Sequence, residues 1–168
     1  MSNFFQGWYL IYTRPRHERK VFAQLTEMKV RSFLPTTKKL RIWHDRKKFI
    51  EEPLFPSYVF VYLQDRYNYQ ESIDADGFLY FVKTGKEIAR VPESVISNIE
   101  LLSKDGSEIE VSTASFLPGQ KLVINQGALT GLSCEVVQFN GKQKLLVRVD
   151  LLQRNLLVTL PVDHLMAI

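Results

Sequence analysis

The sequence predicts an α+β domain followed by a small all-β domain. Two segments repeat apolar residues with the 3.6-residue period of a helix, while the other apolar runs are short and rich in β-branched and aromatic residues. Beyond Pro118 the helical period is absent, and short apolar runs alternate with glycine- and asparagine-containing turns. We therefore expect an antiparallel sheet with packed helices first and a small barrel afterwards.

The elements of the first domain follow from local pattern. Val21, Leu25 and Met28 lie at i, i+4 and i+7 on one helix face. Asp65 is the expected cap of a short helix, and Pro92 opens a second long one. In order, the prediction is strand 8–12, helix 16–29, strand 30–34, hairpin 38–49, strand 58–63, helix 65–73, strand 78–83 and the helix after Pro92.

The run from Tyr58 to Leu63 is the strand around which this domain is organised. Its side chains alternate, so that tyrosines and a phenylalanine share one face and aliphatic residues share the other. Composition alone favours a central strand buried on both faces. The alternative is an aromatic face left open for a partner protein, because large rings with hydroxyl groups suit an interface.

The second half of the chain reads as strands after a connecting segment. Residues 107–117 are polar and lack apolar periodicity, which predicts a linker between a domain at 1–106 and a domain at 118–168. Asn140-Gly141 is a strong signal for a two-residue hairpin turn. The predicted strands are 121–124, 133–137, 144–149 and 156–160, with a last turn at 162–165.

Charge is distributed unevenly along the chain. From Arg14 to Lys48 there are twelve lysines and arginines against three acidic residues, whereas residues 49–111 carry five against twelve. The basic stretch favours contact with nucleic acid or an acidic protein. Arg16, Arg19 and Lys20 lie near a helix start, where the dipole disfavours cations, and the hairpin tryptophan Trp43 is suited to stacking on an unpaired base.

The sequence shows little sign of a membrane protein, a secreted protein, a metal-binding protein or an enzyme. There is one cysteine, no apolar run of membrane-spanning length and no signal-peptide pattern, so we expect a cytoplasmic protein. His17, His44, His164 and Cys134 lack metal-ligand spacing, and Gly85-Lys86 lacks the first glycine of a phosphate loop. We expect no enzyme activity, no metal and no cofactor.

Two motifs resemble a known family. Trp8-Tyr9, the segment from Pro53 to Val61, and Phe81-Val82 followed by Gly85 are similar to the N-terminal domain of the NusG family of transcription elongation factors. The stretch from Pro118 to Gly131 resembles the KOW motif of its C-terminal domain, an SH3-like barrel. The sequence from Glu52 to Tyr58 is more similar to that of the specialised paralogues, RfaH and the UpxY-type antiterminators of capsule operons, than to that of general NusG.

The resemblance implies two binding sites and a monomeric factor. An aromatic patch would bind the clamp helices of the largest RNA polymerase subunit, and the start of the first helix would contact the non-template DNA strand. The matching patch residues are Tyr12, Phe55, Tyr58 and Phe60, with Thr84 at the margin. The matching DNA-contacting residues are Arg14, His17 and Lys20.

The chain departs from the RfaH pattern at two positions. Residues 69–72 replace the threonine-rich motif that touches the far side of the polymerase cleft, and Asp76 stands before Gly77 where RfaH has a DNA-contacting arginine. The target DNA element is therefore expected to differ.

The C-terminal domain is expected to be a β-barrel at rest, because β-branched residues are frequent and glycines interrupt any long helix. It would not mask the polymerase patch as the helical hairpin of RfaH does. Its partner would be a protein such as a ribosomal protein or a termination factor. The alternatives are a general NusG factor and a ribosome- or RNA-associated KOW protein, although the region from Ser112 on carries a surplus of only two positive charges.

Overall fold

The computed structural model describes residues 5–105, 109–124 and 129–158. It divides the chain into two compact units, Met1–Thr36 with Pro53–Glu93 and Thr37–Glu52 with Ser94–Ile168. The elements are β1 Gly7–Thr13, α1 Glu18–Glu27, β2 Ser32–Phe33, β3 Thr36–Ile42, β4 Lys47–Pro53, β5 Tyr58–Leu63, α2 Arg66–Asp74, β6 Phe78–Phe81, β7 Lys83–Thr84, β8 Glu87–Ile88, β9 Arg90–Val91, α3 Glu93–Asp105, β10 Ile109–Ser112, β11 Gln120–Val123, β12 Ser133–Phe139, β13 Lys142–Val149 and β14 Arg154–Val158.

The first unit is built on an antiparallel sheet with the strand order β2-β5-β1-β6, and β9 also pairs with β1. Strand β5 has the predicted limits. Its neighbours pair with it so that Val59 lies opposite Ile11 and Val61 opposite Tyr9. These residues form a buried cluster with Val21 and other side chains, which places the apolar side of α1 on this face of the sheet.

Local signals positioned the helices of the first unit well. Val21 and Leu25 are fully buried, as the helical period predicted. The Asp65 side chain accepts a hydrogen bond from the backbone N–H of Asn68 at 2.9 Å, so the predicted cap of α2 is confirmed. The predicted strand 78–83 is split, because β6 ends at Phe81 and the chain then forms the small β7–β8 hairpin, where Gly85 adopts a φ of 65°.

The second unit contains a five-stranded antiparallel sheet with the order β10-β14-β13-β12-β11. The Asn140-Gly141 turn is confirmed, because both residues have positive φ and Phe139 pairs with Lys142 across it. Among the described strands no pairing joins β10 to β11, so the predicted closure into a barrel is not found. The predicted turn at 162–165 lies outside the described residues.

One strand of this unit was not predicted. Residues 109–112 are part of the segment predicted as a linker, but they form β10, which pairs with β14 in the register Ile109 to Val158 and Val111 to Leu156. A strand this short carries little local signal, and the ladder hydrogen bonds of a distant strand stabilise it.

Helix α3 contacts this second sheet. The Asn98 side chain accepts a hydrogen bond from the Ser133 backbone N–H at 3.1 Å, and the Leu101 side chain lies against Gly131. The compact units therefore group α3 with the C-terminal strands. The predicted boundaries at 1–106, 107–117 and 118–168 stay a prediction.

An ion pair organises the start of β11. Arg148 donates to the Glu135 carboxylate at 2.6 Å and to the Phe116 carbonyl at 3.1 Å, while the Gly119 N–H donates to Glu135 at 2.9 Å. The Arg148 hydrogen bond lowers the pKa of Glu135. A side chain at Gly119 would collide with the Val136 carbonyl, because a Cβ there would lie 2.3 Å from its oxygen. The glycine of the KOW-like motif is thus required by close packing.

Candidate functional site

One face of the first sheet is lined with aromatic side chains. Directly opposed residues in antiparallel strands share a face, and the β1–β5 register opposes Trp8 to Tyr62, Leu10 to Phe60 and Tyr12 to Tyr58. This aromatic face lies opposite the face that packs against α1. It is divided into parts that differ in exposure.

Three tyrosines form what we call the tyrosine cluster: Tyr12, Tyr58 and Tyr80. The Tyr12 ring stacks on Tyr80 with centroids 4.9 Å apart and lies 5.3 Å from the ring of Tyr58. Tyr12 and Tyr58 are half-buried, and Tyr80 is 53% exposed. Two of the predicted patch residues therefore meet on the surface. The third, Tyr80, was missed, although its place in the predicted strand 78–83 was a signal for it.

The other two predicted aromatic residues are not exposed, which corrects the expectation of an open patch at these positions. Phe55 is 4% and Phe60 is 1% exposed. The Phe60 ring lies 5.9 Å from Phe33 and 6.3 Å from Phe55, and we call these three the phenylalanine cluster. Phe60 lies at the centre of β5 and is buried with these two rings beside it, whereas Tyr58 at the start of the same strand is half-buried. The composition-based hypothesis of a strand buried on both faces is thus correct for its centre.

The remaining predicted patch residue lies on a separate element. Thr84 is exposed in β7, where it pairs with Glu87 of β8. Its position near the strand end that carries Tyr80 follows from the chain, since only three residues separate the two.

The predicted DNA-contacting residues are brought together at the start of α1. Arg14 and Lys20 are exposed, and His17 is half-buried at the N-cap position with its Nδ1 3.0 Å from the Pro15 carbonyl. The Arg14 N–H donates to the Gly77 carbonyl at 2.9 Å, and the Cα of Gly77 lies against His17. The turn between α2 and β6 therefore supports this basic cluster from one side.

An acidic side chain lies inside the basic cluster. The Lys20 ammonium contacts the Asp76 carboxylate at 2.5 Å. The hydrogen bond from Lys20, followed by its charge and then those of His17 and Arg14, lowers the pKa of Asp76. The sequence identified Asp76 as a departure from the RfaH pattern, but its pairing with Lys20 required the fold.

The segment that replaces the threonine-rich motif is used partly for packing. Ser72 is fully buried and donates to the Asn68 carbonyl at 2.7 Å, and the Tyr69 ring stacks on Phe81 at 5.0 Å. Gln70 is exposed. Two of the four side chains are therefore oriented toward this unit's own interior.

The basic hairpin β3–β4 belongs to the second unit and is exposed along most of its length. Arg41 and Lys39 both form ion pairs with Glu52, at 2.5 and 3.8 Å. At the tip, the Arg46 guanidinium lies 5.3 Å from the centroid of the Trp43 ring, which is 42% exposed. This is a cation–π pair at a surface tip, with the Trp43 ring partly exposed to solvent.

Groups that could support other chemistry are few. Within the described ranges, no cluster of three or more histidine, cysteine or acidic side chains is placed to hold a metal ion. Burial raises the pKa of Cys134 to about 11, so this thiol stays protonated at neutral pH. None of the helices in the described part of the chain is long and apolar enough to cross a membrane.

Comparisons with known proteins agree with the fold. A solved structure of Thermotoga maritima NusG, which concerns the interaction of its domains, is similar to this chain. The TM-score is 0.55, with 20% sequence identity over 98% of both chains. An MjSpt4:Spt5 complex in conformation B is matched at a TM-score of 0.34 and 12% identity over 95% of both chains, too weakly to support any argument. A family model described as NusG, transcription termination factor nusG, matches residues 6–100. Because this match covers more than half of the chain, the protein belongs to the NusG family.

Proposed function

We propose that the chain is a transcription elongation factor of the specialised antiterminator type, as in RfaH and UpxY. It binds the clamp of RNA polymerase through the tyrosine cluster, with Phe55 and Phe60 packed beside that surface and Thr84 at its margin. Arg14, His17 and Lys20 contact the non-template DNA strand. The factor suppresses pausing and termination on a surface-polysaccharide operon, acts as a monomer in the cytoplasm and catalyses no reaction.

The observation that carries this proposal is the exposure of the tyrosine cluster. Tyrosine rings combine a large apolar surface with a hydroxyl group. This suits a surface that is exposed to water in the free protein and buried in the complex. Family membership supplies the polymerase as the partner. The phenylalanine cluster contributes by packing beside the tyrosines and holding β5 and its neighbours rigid, because a rigid anchor loses less entropy on binding.

The proposed mechanism is a shift of a conformational equilibrium. A factor that binds the closed clamp more tightly than the open clamp favours the closed state without making or breaking a bond. A differential affinity of about tenfold corresponds to about 1.4 kcal/mol, which already changes the population of a pausing state substantially. DNA contacts by the basic cluster add affinity only where the non-template strand is exposed.

The C-terminal strands form the proposed KOW module. Its motif-like segment from Pro118 to Leu122 is anchored by Glu135 and Arg148, as described above. In this proposal the module recruits a second protein, such as a ribosomal protein or a termination factor, while the first unit is bound to polymerase.

The proposal is tested by run-off transcription with purified RNA polymerase on the neighbouring operon and on an unrelated template. The protein should increase full-length transcript on its own operon, and Tyr58→Ala with Tyr80→Ala should remove both this effect and co-purification with polymerase. Loss of each interfacial aromatic anchor costs about 2 kcal/mol or more, so that loss of both lowers the affinity by roughly a thousandfold.

The matched control is Phe5→Ala, which removes a ring that is 75% exposed near the opposite end of β1. This variant should act as the wild type does. Stimulation of both templates equally would instead support a general NusG factor. Retained polymerase binding by the double tyrosine variant would exclude the tyrosine cluster as the interface.

A further inference from the structure

We infer that Asp76 is a built-in competitor for the nucleic-acid phosphate: it occupies Lys20, and a DNA strand gains Lys20 as a phosphate contact only to the extent that it displaces this carboxylate. This inference rests on the proposed contact of Arg14, His17 and Lys20 with single-stranded DNA. Asp76 would thereby lower the affinity for any single strand equally and leave sequence preference to the other contacts.

The geometry of the pair supports this role. The Lys20 Nζ and Asp76 Oδ2 atoms are 2.5 Å apart, and each side chain is 55% exposed. An exposed pair of this kind contributes little to folding, because water screens both charges. It is nevertheless close enough to occupy the lysine, and its exposure leaves both partners accessible to an incoming strand.

The turn that carries Asp76 is held firmly in place. The Asp76 N–H donates to the Gln24 side-chain oxygen at 3.0 Å, and the Gln24 amide donates back to the Asp76 carbonyl at 3.4 Å. The next residue, Gly77, packs closely against His17, because a Cβ added at Gly77 would lie 2.7 Å from the Cβ of His17. The short Asp76 side chain therefore presents its carboxylate to the same place, beside Lys20.

The Asp76 carboxylate carries a negative charge in the free protein. Lys20, with smaller contributions from His17 and Arg14, lowers the pKa of Asp76, so the carboxylate is ionised at neutral pH. A phosphate that approaches Lys20 meets this fixed negative charge. The basic cluster thus offers one cation fewer than its residue types suggest, and binding of a strand releases correspondingly fewer counterions.

The test measures the affinity of the full chain for a fluorescently labelled oligothymidine by anisotropy over a series of salt concentrations. Asp76→Asn should tighten binding about threefold at low salt, as expected for one exposed charge pair. It should also steepen the dependence of log K on log salt by about 0.7, the contribution of one additional phosphate contact on a single strand. Lys20→Ala should weaken the wild type only slightly, but it should abolish the gain of Asp76→Asn.

Asp74→Asn is the matched control, because it removes the same charge from an exposed residue at the end of α2, two positions away. Equal tightening by Asp74→Asn would reduce the effect to net charge and overturn the inference. If Arg14→Ala weakens binding while Asp76→Asn changes neither affinity nor salt dependence, the competitor role is wrong and the proposed DNA site stands. If neither substitution has an effect, the proposed DNA site fails as well.

Discussion

The tyrosine cluster and the phenylalanine cluster occupy the same face of one sheet but differ in what they can do. Phe60 lies in the middle of an inner strand and is buried between its neighbours, whereas Tyr80 lies on β6, at one end of the strand order, and is half exposed. Ring chemistry agrees with position at these two residues, because Tyr80 carries a hydroxyl group that water can solvate and Phe60 does not. An aromatic face therefore does not identify an interface until the place of each ring in the sheet is known.

The largest effect that tests this comparison is expected at Phe60. Phe60→Ala should lower the free energy of unfolding by about 3–5 kcal/mol, because it leaves a cavity beside two other rings. Urea unfolding followed by circular dichroism measures this loss. A loss below about 1 kcal/mol would mean that Phe60 is not a packing residue, and the division of the face into two clusters would be wrong.

A smaller effect on stability is expected at Tyr80. Tyr80→Ala removes an exposed ring that stacks on Tyr12, and such a pair contributes about 0.5–1.5 kcal/mol beyond its burial. We expect a loss of about 1 kcal/mol in the same urea experiment. Leu79→Ala, at an exposed neighbouring residue, is the control and should cost less. Equal losses for Tyr80→Ala and Phe60→Ala would erase the distinction between the clusters.

The smallest effect is expected at Trp8 and Tyr62 of the same face, which a cation contacts. The Arg31 guanidinium lies 5.0 Å from the Trp8 ring and 5.2 Å from the Tyr62 ring. Arg31→Gln should lower the unfolding free energy by about 0.5–1 kcal/mol, the usual size of an exposed cation–π contact. Lys29→Gln removes the same charge from an exposed residue and should be neutral. A double-mutant cycle with Tyr62→Leu would show no coupling if the contact were incidental.

Much of the fold was predictable because its signals are local. The limits of β5, the Asp65 cap and the Asn140-Gly141 turn each depend on a few adjacent residues whose backbone preferences agree with the final structure. The helix face of Val21 and Leu25 was predictable for the same reason. The tyrosines at positions 12 and 58 were identified by resemblance, and the β1–β5 register places them side by side.

The features that escaped prediction depend on distant segments. Strand β10 forms by pairing with β14, more than forty residues along the chain, and helix α3 is hydrogen-bonded through Asn98 to Ser133. Tyr80 joins the tyrosine cluster through the pairing of β6 with β1. None of these partners is near in sequence, so no local pattern distinguishes them from the alternatives.

By itself the sequence determined the helices and the longer strands of the first unit, the turn residues and the family, because these depend on backbone preferences and on motifs of adjacent residues. Only the tertiary structure decided which rings of the aromatic face reach the surface and which anion occupies Lys20. The burial of a ring depends on the distant side chains that pack beside it, and an ion pair depends on the distance between two charges that the chain keeps 56 residues apart.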